Sequence, residues 1–243
     1  MIQKDKSGSP TILITSAINP PQGVPYLKMS DFSSRYLSTK ASIYFWGVSG
    51  IKRIVVVDAT AKNLLISSDL DHLNNIGVEI EQLNFSQNAS LVQLRGKGYA
   101  EGCIIEYALK NSTFLNQTES FFKCTGKIYC RNFDIILKNI VSNNAKLAFW
   151  RNIQKSFYPN PWADTQFFFT SREFCENKLL PIYFNATDQV GPVEADICKL
   201  LNQTVPQSIS QRPLLVGFSG YTGREIAEPS FGQLDMYSPC WIG

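Results

Sequence analysis

Two segments of this chain set cations beside glycines in a way that suits a phosphate. In RGKGYAEGCIIEYAL, residues 95–109, Gly96 and Gly98 stand two apart between Arg95 and Lys97 and lead straight into a helical pattern. Glycine lets a backbone approach a ligand closely, and a helix start offers unpaired N–H groups with a partial positive charge. Arg95 and Lys97 add full charges, so the expected ligand is a diphosphate. The stretch has neither the GxxxxGK[ST] of a P-loop nor the glycine spacing of the dinucleotide fingerprint. Glu101, a little further on, also suits the early turns of a helix. In FFKCTGKIYCRNFD, residues 121–134, Lys123, Thr125, Gly126, Lys127 and Arg131 surround one turn that follows an apolar strand.

Other candidates stand where apolar runs stop, because ligands of open α/β sheets collect at strand carboxyl ends. Thr15 and Ser16 end the first run, and Asp58 directly follows three valines. Asp58 suits either a bond to a base or ribose or the capping of a turn. Thr170 and Ser171 close DTQFFFTS and Arg172 follows, and Arg172 is a candidate for acceptor binding. Trp162, in NPWAD, could stack on an acceptor sugar, whereas Phe167, Phe168 and Phe169 read as core. His72 lies in a helical stretch with no residue to pair with.

These residues need a frame, and the frame reads as α/β. The pattern predicts strands over 11–18, 51–60, 78–85, 145–150 and 164–171, and over 120–130 a strand that runs into a turn. Helices are expected over 30–48, 68–76, 99–111, 134–143, 172–180 and 191–203, with Gly50 and Gly77 as stops. Such alternation implies a mostly parallel, Rossmann-like sheet with helices on both faces. One catalytic domain is expected over 1–205, with 206–243 an irregular, proline-containing extension packed on it.

Composition narrows the function. A net charge of +3 is too small to mark a nucleic-acid binder. Six cysteines without a CxxC pair and a single histidine argue against a structural zinc site, so buried reduced thiols are expected. The first ten residues lack an apolar signal core, and no run of about 18 apolar residues occurs. A cytoplasmic protein, with at most peripheral membrane contact, is the expectation.

The order of an ILITSAI strand, a VVVDAT strand, a GKGYAEG helix start and an FFKCTGK turn resembles GT-A-type glycosyltransferases of bacterial surface polysaccharide assembly. The resemblance spans roughly 11–205 and implies a nucleotide-sugar donor over the first half of the sheet and a glycan or lipid-linked acceptor over the second. The metal-binding D-x-D usual in that family is missing from the middle of the chain. The only such triplet, Asp69-Leu70-Asp71, sits at a predicted helix start. Metal-independent transfer is therefore expected, with no cofactor and with Lys97, Lys123, Lys127 and Arg131 meeting the charge of the leaving diphosphate.

An inverting transferase also needs a base, and the resemblance points to an acidic residue opening the helix in GPVEADICKLL, Glu194 or Asp196. Two helical positions apart they diverge by roughly 200°, so both cannot face one acceptor. Acidic residues also favour first turns for their charge alone. Asp164 is the next candidate. Sugar nucleotidyl transfer and a non-catalytic nucleotide-binding module are the alternatives.

Overall fold

The computed structural model describes residues 10–152, 162–203, 212–219, 223, 225–226 and 239–240. Three strand–helix–strand units build its first half. Strand β1 (Thr11–Ser16) leads to helix α1 (Phe32–Val48) and β2 (Arg53–Asp58), then α2 (Ser67–Asn75) and β3 (Glu79–Asn84). Helices α3 (Ala89–Arg95), α4 (Lys97–Asn111) and α5 (Thr113–Asn116) return the chain to β4 (Ser120–Thr125). A turn gives β5 (Ile128–Cys130), followed by α6 (Phe133–Ser142), β6 (Leu147–Asn152), β7 (Trp162–Ala163) and β8 (Phe167–Ser171). A short helix α7 (Arg172–Phe174) continues through a wide π-helical turn, Cys175–Leu179, into α8 (Leu180–Asn185), and α9 (Val193–Asn202) follows. The short strands β9 (Leu215–Phe218), β10 (Glu225–Ile226) and β11 (Pro239–Cys240) close the described chain.

The main sheet runs β11-β6-β8-β4-β1-β2-β3. Pairings β3–β2, β2–β1 and β1–β4 are parallel, while β8 lies antiparallel between β4 and β6. The result is the expected mostly parallel α/β sheet, with β8 reversed inside it and the two-residue strands β7 and β11 reversed beside β6. Alternation along the strands makes two cores. Ile12, Ile14, Ile54, Val56, Phe122, Phe167 and Phe169 face the side covered by Ile43 and Trp46 of α1 and Ile136 of α6. Leu13, Val55, Val57, Phe121 and Phe168 face the other side, under Ile105 of α4, Tyr183 of α8 and Ile197 of α9. All three phenylalanines are thus core, divided between the two faces as period-2 geometry requires. No helix among the described residues is long and apolar enough to cross a membrane.

Two expectations change. The basic stretch at 95–98 is not a loop, because α3 ends at Arg95, α4 begins at Lys97, and Gly96 alone forms the break at φ 91°. The strand expected over 120–130 to run into a turn does so at Gly126, but beyond the turn a further strand, β5, leaves the main sheet to pair with β9. The extension expected over 206–243 lies mostly outside the described residues, and its described strands β9, β10 and β11 are each four residues or fewer.

The β5–β9 pairing depends on a glycine. Gly217 has φ 136°, and a Cβ there would lie 1.9 Å from the Lys127 carbonyl oxygen. Gly217→Ala therefore combines overpacking with backbone strain, and each costs about 1–3 kcal/mol. Gly50, at φ 90°, has nothing within 4 Å of such a Cβ and isolates the strain. Urea denaturation is expected to show a clearly larger loss for Gly217→Ala than for Gly50→Ala. Equal losses would contradict the close approach.

Candidate active site

The carboxyl ends of β1, β2 and β4 meet along one edge of the sheet, and a fully buried lysine organises that edge. Lys123 lies on β4 opposite Leu13 of β1 and Phe168 of β8, with its side chain in the core beneath α4. Its ammonium donates to Glu101 Oε1 at 2.5 Å, to the Thr165 carbonyl at 2.6 Å and to Thr125 Oγ1 at 2.9 Å. An ammonium has three protons, and all three are engaged. Glu101 Oε1 also accepts from Thr15 Oγ1 at 3.0 Å and Thr125 Oγ1 at 3.2 Å. One carboxylate oxygen thereby joins α4 to β1 and β4, while Lys123 adds the chain just ahead of β8. Lys123 was expected to hold phosphate. The structure gives it an internal counter-charge instead, because its position on β4 directs it into the sheet's covered face.

The turn after β4 presents a different lysine. Gly126 packs so tightly that a Cβ would approach the Thr15 carbonyl and Thr39 Cγ2 at 3.0 Å, and its N–H donates to that carbonyl at 2.7 Å. Lys127 follows with φ 79°, an unusual left-handed conformation for a side chain of its size. Its carbonyl accepts from Phe218 N–H at 3.0 Å, which ties the strained residue to β9. Only 5% of Lys127 is exposed, and among the described residues its ammonium has no hydrogen-bond or ion-pair partner. Burial pushes its pKa down to about 7, and the charge of Arg35 pushes the same way, with Glu101 opposing. Arg35 is itself buried on α1 and donates to the carbonyls of Ala17 at 2.6 Å and Met29 at 2.8 Å. Desolvation lowers its pKa to about 10, against the attraction of Asp58. The edge therefore carries two buried basic side chains, Lys127 and Arg35, that make no direct contact with a carboxylate among the described residues.

Around this point the other candidates take up structural work. Asp58 Oδ2 accepts from Ile18 N–H at 3.0 Å and Oδ1 from Thr60 N–H at 2.9 Å, so the carboxylate caps the turns after β1 and β2. This is the capping role, and it leaves the ribose role without support. Ser16 is buried in the β1–β2 ladder, opposite Asp58. Arg95 donates to the carbonyls of Phe184 and Ala186 and lies 4.4 Å from the Tyr99 ring centroid, which fastens α3 to the end of α8. The N-terminus of α4 is already occupied by a carboxylate: Asp188 Oδ2 accepts from Lys97 N–H at 2.8 Å. A Cβ on Gly96 would lie 2.3 Å from that carboxylate, and one on Gly98 would lie 3.2 Å from Val193. Both glycines thus make room for the chain itself. The anion expected at this helix start is met by the protein's own Asp188. The Lys97 ammonium donates to the Tyr26 carbonyl at 3.0 Å, with Asp188, Glu194 and Glu101 nearby. Burial lowers its pKa, while those acids act against the shift.

On the β8 side the acids gather. Thr165 Oγ1 donates to Glu194 Oε1 at 2.9 Å, so Thr165 touches Lys123 through its carbonyl and Glu194 through its hydroxyl. Burial raises the pKa of Glu194, and Glu101 and Asp164 add to the shift, while its own backbone N–H and Thr165 oppose it. Burial likewise raises Asp164, whose Oδ1 accepts from Gln166 N–H at 2.8 Å. Asp196 is exposed and paired with Lys199 at 2.8 Å, facing away from this cluster. Arg172 is a correction. Because β8 runs antiparallel to β4, its last residues lie beside Ser120 at the amino end of β4. There Arg172 binds the carbonyls of Leu109 and Leu115, Asn116 Oδ1 and Glu176. Arg131 is exposed after β5, and its N–H donates to the Leu214 carbonyl. Trp162 starts β7, with its side chain outside the described part. Among the described residues no group of three or more His, Cys, Asp or Glu is arranged as a metal site, and Cys103, Cys124, Cys130, Cys175 and Cys198 are free thiols.

Sequence reasoning missed Arg35, Thr165 and Asp188. Arg35 carried a signal, since it shares the inward positions of α1 with Thr39, Ser42, Ile43 and Trp46. A charged residue in the buried phase of a helix has a partner or a ligand to meet.

No known protein family matches the chain, and no curated protein matches it. Solved structures resemble it in outline. A protein assigned as glucose-1-phosphate thymidylyltransferase from Bacillus anthracis, in complex with sucrose, aligns over 86% of this chain and 89% of its own, at 9% identity and a TM-score of 0.46. A CMP:2-keto-3-deoxy-manno-octonic acid synthetase complexed with CTP aligns over 80% and 84%, at 10% identity and a TM-score of 0.35.

Removing one partner of a buried ion pair leaves the other charge stranded, typically at a cost of about 3–5 kcal/mol. Glu101→Gln strands the fully buried Lys123 and is expected to destabilise the fold by about that amount. Lys123→Met in the same chain removes the stranded charge, so the double variant is expected to be more stable than Glu101→Gln alone. Additive losses in a denaturation cycle would contradict the pairing.

Proposed function

We propose that this chain is a glycosyltransferase that moves a sugar from a nucleotide-sugar donor to a glycan or lipid-linked acceptor in surface polysaccharide assembly. The observation that supports this reading best is Lys127. A buried ammonium beside a buried guanidinium, with no carboxylate bound to either among the described residues, is a charge arrangement that an anionic ligand would complete. It stands at the carboxyl edge of a Rossmann-like sheet, where such sheets bind ligands. In this reading Lys127 and Arg35 face the diphosphate, and Lys97 leaves the Tyr26 carbonyl to join them. Their charge stabilises the leaving nucleoside diphosphate as the glycosidic bond breaks. No separate cofactor is invoked, and turnover is expected to persist in a chelator.

Glu194 serves as the base. A carboxylate with a raised pKa is a better proton acceptor than an ordinary surface carboxylate, and Thr165 fixes its orientation. The acceptor hydroxyl loses its proton to Glu194 as its oxygen attacks the anomeric carbon, and the diphosphate leaves with the bonding pair. Asp196 faces solvent and takes no part.

The same two cations would also suit a triphosphate, which makes sugar nucleotidyl transfer the second reading. The products separate the two. Incubation with a panel of nucleotide sugars would release nucleoside diphosphate under the first, whereas a nucleoside triphosphate with a sugar 1-phosphate would release pyrophosphate under the second. Under the first reading Glu194→Gln is expected to lower kcat by about 10²- to 10⁴-fold while donor affinity holds. Lys127→Gly, which suits the left-handed backbone, is expected to weaken donor binding by about 1.5–3 kcal/mol. Unchanged turnover in Glu194→Gln together with unchanged binding in Lys127→Gly would sink the proposal.

A further inference from the structure

Helix α1 is the longest of the described helices, and its outward face carries no charge. On a helix of 3.6 residues per turn, Leu37, Val48, Ala41, Ser34 and Phe45 fall, in that order, within a sector of roughly 80°. All five are exposed, Leu37 by 62%, Val48 by 69% and Phe45 by 46%. The charged residues of the helix point elsewhere. Arg35 is buried on the sheet side, and Lys40, on the side of α2, is bound to Asp69 at 2.8 Å. The exposed sides of α4 and α9, by contrast, carry Glu106 with Lys110 and Asp196 with Lys199, as a water-facing helix ordinarily does. Hydroxyls along the α1 stripe are already answered by the helix itself: Ser38 Oγ donates to the Ser34 carbonyl at 2.6 Å, and Ser49 Oγ to that of Phe45 at 2.7 Å. Taking this face out of water therefore costs little.

The patch is wider than the helix. The Phe45 ring stacks on Tyr129 of β5 with centroids 4.3 Å apart, and Tyr129 stands directly across the β5–β9 ladder from Val216. Both are half-buried and neutral. With α1 about 25 Å long, and the helix and two strands together about 20 Å across, the patch covers roughly 500 Å² of one copy. Two such patches bury about 1,000 Å², which is the lower bound of a specific interface. A two-fold contact also needs a surface that complements itself, and a neutral one does not repel its own copy. Shape agrees with charge. Leu37, Ala41 and Phe45 form an i, i+4, i+8 ridge with the small residue between two large ones, so two antiparallel copies of α1 can approach closely at Ala41. Leu37 then meets Phe45 of the partner subunit, twice, in the ridge class that crosses near about −50°. We propose that this face of α1, continued onto β5 and β9, docks a second copy of the chain about a two-fold axis beside Ala41.

This inference goes beyond the transferase reading and does not depend on it. The test is sedimentation velocity on the full chain from about 1 μM to about 500 μM, the range in which an interface of this size exchanges. The weight-average mass is expected to rise from the 27.3 kDa of one chain toward twice that value. Ala41→Glu sets two carboxylates face to face at the axis and is expected to weaken association at least about tenfold. Ser90→Glu makes the same charge change in the exposed first turn of α3 and is expected to leave association unaltered. The register has its own test. Leu37→Lys and Phe45→Glu are each expected to weaken the dimer, whereas the chain carrying both is expected to associate more tightly than either, because each lysine then meets a glutamate of the partner. Flotation with phosphatidylcholine–phosphatidylserine vesicles examines the rival occupant, a membrane surface, and the chain is expected to stay with the unbound protein. A mass that remains at one chain over the whole range, association indifferent to Ala41→Glu, a double variant no tighter than the single ones, or a monomer that floats with the vesicles would each overturn the proposal.

Discussion

The architecture of the candidate site depends on the ion pair between Lys123 and Glu101. A lysine with no exposed surface is tolerable only if its charge is answered inside the protein, and Glu101 answers it from the second turn of α4. That requirement fixes the height of α4 over the sheet. It also draws Thr15 at the end of β1, Thr125 at the end of β4 and the Thr165 carbonyl before β8 into one cluster. Thr165 then holds Glu194, so the start of α9 is set by the same cluster. Four elements and Thr165, two positions before β8, take their relative positions from one carboxylate and one ammonium.

Because the inner lysine is satisfied, the outer one stands apart. Lys127 sits just past Gly126, whose crowding against Thr15 and Thr39 turns the chain out of the main sheet. The contrast divides the edge into two chemical halves. Lys127 and Arg35 place two buried basic groups without a direct carboxylate contact among the described residues on the β1–α1 side, and Glu194 and Asp164 supply carboxylates with raised pKa on the β8–α9 side. A polar substrate with an anionic group at one end and hydroxyls at the other matches that division.

Much of the fold was legible in the sequence, because it follows from periodicity. Buried strands such as RIVVVD and amphipathic helices such as VEADICKLLN announce themselves locally. Strand direction does not, since it is set by partners far along the chain. The reversal of β8 moved Arg172 to the opposite end of the sheet from the site and brought Thr165 to it. The stretch around Gly96 and Gly98 shows the same limit. Its composition suits an anion, and the anion is Asp188, 91 positions away. Glu194 and Asp196 were separable by helical geometry alone, but which of the two faces inward required the position of Thr165.

The central claim is that the site lacks one negative charge, which the ligand brings. Calorimetric titration with a nucleoside diphosphate at pH 8, repeated in buffers of different ionisation enthalpy, tests it most directly. In the free protein Lys127, with its pKa lowered to about 7, is mostly neutral at that pH, whereas a bound diphosphate favours the ammonium form. The ligand's own phosphates, with a second pKa near 6, are already ionised and contribute little. The account predicts uptake of close to one proton per ligand bound, lost in Lys127→Gly. Binding without proton uptake, or no binding at all, would contradict it.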